Sequence, residues 1–288
     1  MRIHLAEALS HTAVALLTAD ILDDWKSSLA ESTSPATANR TAAGLRAALY
    51  HAAKRDRRIT NEKEWKVGLA SIPGAVQVRN IILEKPDVRS LVAAAYEAEW
   101  EFGLLVETCD VTGARYSQIA RLDICDLQDD RPDPRLMMPP SRKGQDGKSI
   151  TPIPVPITAG LAARLRQSAG KRRIDERLLV MNGGGPWLRN NHSARFTTIV
   201  KRVNAKRDAA GEAGLPGGTS IYALRHTSIV RQLLGGVPIR VVAVNHDTSV
   251  EMIEQHYSRY INDHADALVR RTLIEAEVIE FPGANKAG

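Results

Sequence analysis

The sequence predicts a mainly α chain with a small antiparallel β-sheet, divided into two domains. Three observations predict it. At 288 residues the chain exceeds a typical domain of roughly 150 residues, so two cores are expected. Apolar residues recur at helical intervals over most of its length. Between residues 124 and 155, short apolar runs bounded by Pro, Gly and Asp replace that period, as strands do.

Each element follows from local signals. Residues 13–29 carry apolar side chains at helical spacing, and Ser34-Pro35 followed by Thr37 marks a second helix start. That second helix runs to residue 55, with Leu45, Ala48, Leu49 and Ala52 on one face and Arg40, Arg46 and Lys54 on the other. Trp65, Leu69 and Ile72 suggest a third short helix ending near Pro73-Gly74. Residues 74–87 read as a joint, placing one domain at 1–82 and the next at 86–288. The second domain opens with an Ala-rich helix over 88–106. Strands follow at 124–127, 135–138 and 150–155, with Arg142-Lys143-Gly144 in a turn between two of them. A helix over 159–169 and a brief extended piece at 178–180 come next. From Phe196 onward the pattern is helical again, broken at 211–218 and at Gly235-Gly236.

Composition narrows the function classes. Two cysteines exclude a disulfide scaffold and a cysteine-built zinc module. No apolar run approaches the roughly 18 residues that span a bilayer, and the N-terminus lacks a clear cleavage site, so the chain reads as a soluble, reducing-compartment protein. Net charge is +6, unevenly spread: residues 86–141 carry −6, whereas residues 142–207 carry +12. Such a basic segment suits an anionic partner or a solvated face.

Three clusters carry polar chemistry among apolar neighbours. Thr112-Gly113-Ala114-Arg115 follows an apolar helix, and a glycine before an arginine at a helix start can aim a guanidinium and free N–H groups at one anion. Tyr222-Ala223-Leu224-Arg225-His226 is flanked by Ile221, Ile229 and Leu233, so Arg225 is expected to be buried and to need a carboxylate or a phosphate. Asn245-His246-Asp247-Thr248 precedes a helix bearing Val250, Ile253 and Tyr257 on one face. His246, Glu251 and His256 lack metal-ligand spacing. Gly183-Gly184-Gly185 lacks the Lys-Ser/Thr of a P-loop, and no G-x-S-x-G occurs.

Taken in order, Thr112-Gly113-Ala114-Arg115, Lys143, Tyr222-x-x-Arg225-His226, His246 and Tyr257 resemble the tyrosine recombinase (phage integrase) family. The resemblance covers a catalytic domain over about residues 86–275, and the first segment is similar to the family's helical core-binding domain. It implies a mixed α/β catalytic domain in which Tyr257 attacks a DNA phosphodiester and leaves a 3′-phosphotyrosine. Arg115 and Arg225 would clamp the non-bridging oxygens, Lys143 would protonate the leaving 5′-oxygen and His246 would donate to the phosphate. It implies double-stranded DNA as partner, a homo-tetramer on that DNA, no cofactor, no metal, no membrane, and a cytoplasmic, nucleoid-associated place in a bacterial or phage setting. The basic 142–207 stretch would line a clamp formed by both domains, bound mostly to phosphates.

The sequence departs from the family in three places. Tyr222 stands where the family usually has histidine, and a phenol is a poor base at neutral pH. His246 lies eleven residues before Tyr257, whereas the family more often places its histidine or tryptophan nine before, where Thr248 stands. Gln118 stands where the family often has glutamate. Tyr260 competes with Tyr257 as nucleophile, and His226 reads either as a site residue or as a satisfied core histidine. The alternative function is a DNA-binding relative that no longer cuts, acting as a regulatory or architectural factor. A relaxing topoisomerase is a third reading with the same chemistry.

Overall fold

The computed structural model describes residues 7–75, 80–141, 151–188 and 191–274. The chain divides into two compact units, 1–79 and 80–288.

The first unit is helical: α1 (Glu7–His11), α2 (Ala19–Ser32), α3 (Pro35–Ala53) and α4 (Glu62–Gly68). Local chemistry sets the starts. The Thr18 hydroxyl accepts from the Ile21 amide, and Ser34 does the same for Thr37 with Pro35 at the first helical position. Leu22, Trp25, Leu29, Ala38, Ala42, Leu45, Leu49, Trp65 and Leu69 form its core. The buried face of α3 thus runs through 38, 42, 45 and 49, leaving Ala48 exposed. The expected helix from residue 13 begins only at Ala19, after a 3₁₀ turn at Val14–Leu16.

The second unit opens with α5 (Lys85–Ala98), α6 (Trp100–Thr112) and the short α7 (Tyr116–Ile119). The single helix expected over 88–106 is broken at Glu99, whose backbone is extended (φ −164°, ψ 124°). α6 buries Phe102, Leu104, Leu105, Val106, Thr108, Cys109 and Thr112, residues on every side of the helix. A helix apolar all round belongs in the middle of a core, and α6 is the spine of this unit.

Three strands form the sheet: β1 (Leu127–Gln128), β2 (Arg135–Met138) and β3 (Ile153–Pro156), antiparallel in that order. Leu127 faces Leu136, and Leu136 faces Val155, so alternate residues enter the core as the two-residue period requires. Residues 124–126, expected as strand, form a 3₁₀ turn instead. α8 (Ala159–Ala169), α9 (Asn191–Ala209), α10 (Ile221–Leu234), α11 (Ile239–Asn245), α12 (Val250–Asn262) and α13 (Ala265–Arg270) complete the unit. The fold is mainly α with one small antiparallel sheet, as the sequence predicts.

Folding changes the meaning of the basic segment. Among the described residues, Arg164 pairs with Glu107, Arg166 with Asp129, Arg177 with Asp123, Arg195 with Glu99, Lys206 with Glu97 and Arg207 with Asp87. All six carboxylates come from the acidic 86–141 stretch. Six of the fifteen cations in the stretch expected to line a DNA surface are thus paired within the unit. Among the described residues no helix is long and apolar enough to cross a membrane.

Candidate active site

The site is assembled where α6, α10 and α11 end or begin. Gly113 terminates α6 in the left-handed conformation (φ 60°), its N–H donating to the Cys109 carbonyl at 2.9 Å. Glycine is needed here twice over. An L side chain strains this backbone, and a Cβ would run into the His246 ring and come within 2.7 Å of Ser228 Oγ. The turn sends the chain through Ala114 into Arg115, which caps α7 and donates its own amide to Gln118 Oε1 at 3.1 Å.

The two arginines are anchored to consecutive backbone carbonyls. Arg225 Nη2 donates to the His246 carbonyl at 2.6 Å, and Arg115 Nη1 donates to the Asp247 carbonyl at 3.0 Å. Arg225 Nη1 also donates to the Gly113 carbonyl at 2.9 Å. Arg225 is 4% exposed, and among the described residues no carboxylate pairs with it. Burial, and then the Arg115 charge, hold its pKa below the ordinary guanidinium value. Two neighbouring cations, one buried without a counter-charge, form an electrostatic deficit that an anion would relieve. Tyr222, half exposed on the first turn of α10, and Arg225 border a cavity of about 270 Å³ that Tyr116, Ser220, His192 and Phe196 also line.

Asp247 is the hub beneath Arg115. Its carboxylate oxygen Oδ2 accepts from Arg115 Nη1 at 3.4 Å, Gln118 Nε2 at 3.3 Å and the Ser141 amide at 2.7 Å. Its backbone sits at φ 47°, the one non-glycine among the described residues at positive φ. Sequence reasoning passed it over, although an Asp in a polar turn between two apolar helices is a residue type that tolerates this conformation. The Ser141 contact pins the chain two residues before Lys143. Lys143 itself lies outside the described residues.

His246 is 1% exposed and caps α11. Its Nδ1 lies 2.9 Å from the Val242 carbonyl, which only accepts, so Nδ1 carries the proton and Nε2 accepts from Ser228 Oγ at 3.2 Å. Burial and the Arg225 charge hold its pKa down to about 4. Both ring nitrogens are thus engaged within the protein, where the resemblance implies a donor to phosphate. What His246 visibly supplies is the carbonyl that orients Arg225. Thr248, its rival for the position, is half-buried and donates its amide to the Ala243 carbonyl at 2.9 Å.

Tyr257 projects from α12 into a cluster with Ile229, Val230, Leu233, Val242, Ala243 and Ile253, and is 6% exposed. Its hydroxyl lies 2.6 Å from His226 Nδ1. Burial raises the phenol pKa to about 12, with the Arg225 charge opposing. The same burial, reinforced by Arg225, lowers the His226 pKa to about 4. Tyr222 stacks edge-on against the His226 ring, centroids 4.8 Å apart. Tyr260 points elsewhere, its hydroxyl donating to the Asn80 carbonyl at 2.8 Å. Among the described residues no cluster of three His, Cys, Asp or Glu side chains is placed to hold a metal.

No protein-family model matches the sequence, and no curated protein matches it. Solved structures do resemble it. The Tn1549 transposon integrase, in complex with transposon right end DNA, aligns at 18% identity over 94% of this chain and 90% of that one, TM-score 0.73. The XerH site-specific recombinase bound to a palindromic difH substrate aligns at 16% identity over 92% and 76%, TM-score 0.64. Lambda integrase, from a tetramer bound to a Holliday junction, aligns at 15% identity over 82% and 65%, TM-score 0.55. The chain has the fold of the tyrosine recombinases and integrases.

Proposed function

We propose that the protein is a site-specific DNA recombinase or integrase that cuts and rejoins double-stranded DNA through a 3′-phosphotyrosine on Tyr257. The observation that carries this reading is the buried Arg225, uncompensated by any described carboxylate and tied beside Arg115 through the consecutive carbonyls of residues 246 and 247. A phosphodiester supplies the missing negative charge. The similar fold of the Tn1549 integrase and XerH, both solved with DNA, supports the same partner.

In this reading the two guanidiniums hold the non-bridging oxygens where charge accumulates as phosphorus becomes five-coordinate. Tyr257 Oη attacks in line, the bond to the 5′-oxygen breaks, and Lys143 protonates that oxygen. The phosphotyrosine conserves the energy of the broken bond, so a second 5′-hydroxyl can reverse the step without ATP. Tyr222 and His246 act around the phosphate, Tyr222 from the rim of the cavity and His246 through its hold on Arg225. Residues 1–82 serve as the helical DNA-binding domain and residues 86–288 as the catalytic domain. The active species on DNA is a homo-tetramer, as lambda integrase is in its Holliday-junction complex.

Covalent trapping tests the proposal. The protein is incubated with a pool of nicked duplexes of randomised sequence, denatured, and probed for a protein–DNA adduct, whose DNA is then sequenced. An adduct from the wild-type chain that is lost in Tyr257→Phe is expected. No adduct despite tight, salt-sensitive binding would overturn it in favour of a DNA-binding relative that does not cut.

A further inference from the structure

We propose that His226 is a catalytic residue of this chain, the acceptor of the Tyr257 hydroxyl proton during strand cleavage and its donor during rejoining. The inference rests on the reading of Tyr257 as nucleophile. It gives His226 a task that Tyr222, one helical turn earlier, is chemically unsuited to perform.

The geometry carries it. His226 Nδ1 and Tyr257 Oη are 2.6 Å apart, within the range for direct proton transfer. The imidazole is fixed from two sides, by Tyr222 edge-on at 4.8 Å and by Tyr257 with ring centroids 5.7 Å apart. Its neighbour in sequence is Arg225, so the group that takes the proton and the group that binds the phosphate sit on one helix, at adjacent positions. Among the described hydrogen bonds, the one made by the Tyr257 hydroxyl is this one.

Electrostatics make the acceptor respond to substrate. The charged and titratable groups facing His226 are Arg225 and Tyr222 on α10, and His256 and Tyr257 on α12. In the free protein, burial and the Arg225 charge keep the imidazole neutral, and in the tautomer with its proton on Nε2 the Nδ1 lone pair accepts from the Tyr257 hydroxyl. A phosphodiester seated on Arg225 offsets that charge and so counters one of the three causes, burial, Arg225 and His256, that weaken the base. His226 is therefore a stronger acceptor with DNA bound than without it.

The step balances. The Tyr257 O–H bond breaks and its proton passes to Nδ1, while an oxygen lone pair forms the O–P bond. The P–O5′ pair leaves with the 5′-oxygen, which is protonated by Lys143. On rejoining, the 5′-hydroxyl returns its proton to Lys143, and the departing Tyr257 oxygen takes back the proton held by His226.

The test uses the nicked duplex recovered from the wild-type adduct and compares wild type with His226→Asn, whose amide reaches the Nδ1 position, and with His226→Ala. Single-turnover adduct formation at pH 7.5 is expected to fall about 100-fold or more in both, within the usual range for general-base removal. DNA affinity should stay within about threefold, and the deficit should narrow as pH rises and the phenol ionises unaided. A duplex with a 5′-bridging sulfur, which leaves without a proton, should restore Lys143→Ala but not His226→Asn. Rates for His226→Asn within about threefold of wild type, or rescue of that variant by the sulfur substrate, would overturn the proposal. An adduct that persists in Tyr257→Phe, or none from the wild-type chain, would instead overturn the reading beneath it.

Discussion

Gly113→Ala probes the joint on which both arginines depend. The added methyl meets two penalties. Left-handed backbone costs a non-glycine residue about 1–2 kcal/mol, and at φ 60° Gly113 sits well inside that region. The Cβ also collides with the His246 ring and with Ser228 Oγ at 2.7 Å, an overpacking cost of about 1–3 kcal/mol because both neighbours are buried. The sum is about 2–5 kcal/mol. At about 2–4 °C per kcal/mol for a unit of this size, the melting temperature should fall by roughly 4–20 °C. Gly211→Ala is the matched control: its φ is 71°, yet a Cβ there meets nothing within 4 Å, so only the backbone penalty applies. Urea or thermal unfolding of the two variants isolates the steric part. Equal losses in both would refute the packing argument. The Gly113 carbonyl also holds Arg225, so at temperatures where Gly113→Ala is folded its adduct yield should fall further than that of Gly211→Ala.

Four further outcomes follow from named contacts. Acidification should destabilise the fold between about pH 6.5 and pH 4: the folded state holds His246 neutral down to about 4, whereas the unfolded chain takes up that proton near 6.5. The stabilisation is complete above pH 6.5 and is lost as pH falls through the window, by up to about 3 kcal/mol for this one group; unfolding curves at pH 7.5 and 4.5 that coincide for wild type would contradict it. Tyr260→Phe should keep the covalent adduct and cost about 1 kcal/mol, the worth of its hydrogen bond to the Asn80 carbonyl, measured by thermal melting. Arg164→Ala should cost about 2 kcal/mol, because it strips the mostly buried Glu107 of its cation, while DNA affinity in a filter-binding assay stays within about threefold. Asp247→Ala should cost about 2 kcal/mol and slow adduct formation at least tenfold, since three donors lose their shared acceptor; an unchanged rate would show that Arg115 holds its place without it.

Most of the helices, the three strand segments and the order of the site motifs rest on local signals, and these are legible in the sequence alone. Ser34-Pro35 announces α3 and the short runs near 127, 136 and 155 announce the sheet, because capping and side-chain periodicity act between neighbours. Arg225 could be read from its apolar flanks as buried and in need of a carboxylate or a phosphate, but not which of the two. Glu99 could not be read as a break, since its extended backbone interrupts a continuous helical pattern. Neither the Asp247 hub nor the His226–Tyr257 hydrogen bond could be read, because each joins residues more than 30 positions apart and depends on which helix ends meet. Charge shows the division best. The sequence contains a −6 stretch followed by a +12 stretch, and on that basis a broad basic surface is the natural expectation. Only the tertiary structure brings six of those cations onto six of those carboxylates while leaving Arg225, among the described residues, without one. Net charge sums over the chain, whereas pairing is decided by distances of a few ångströms that packing alone sets.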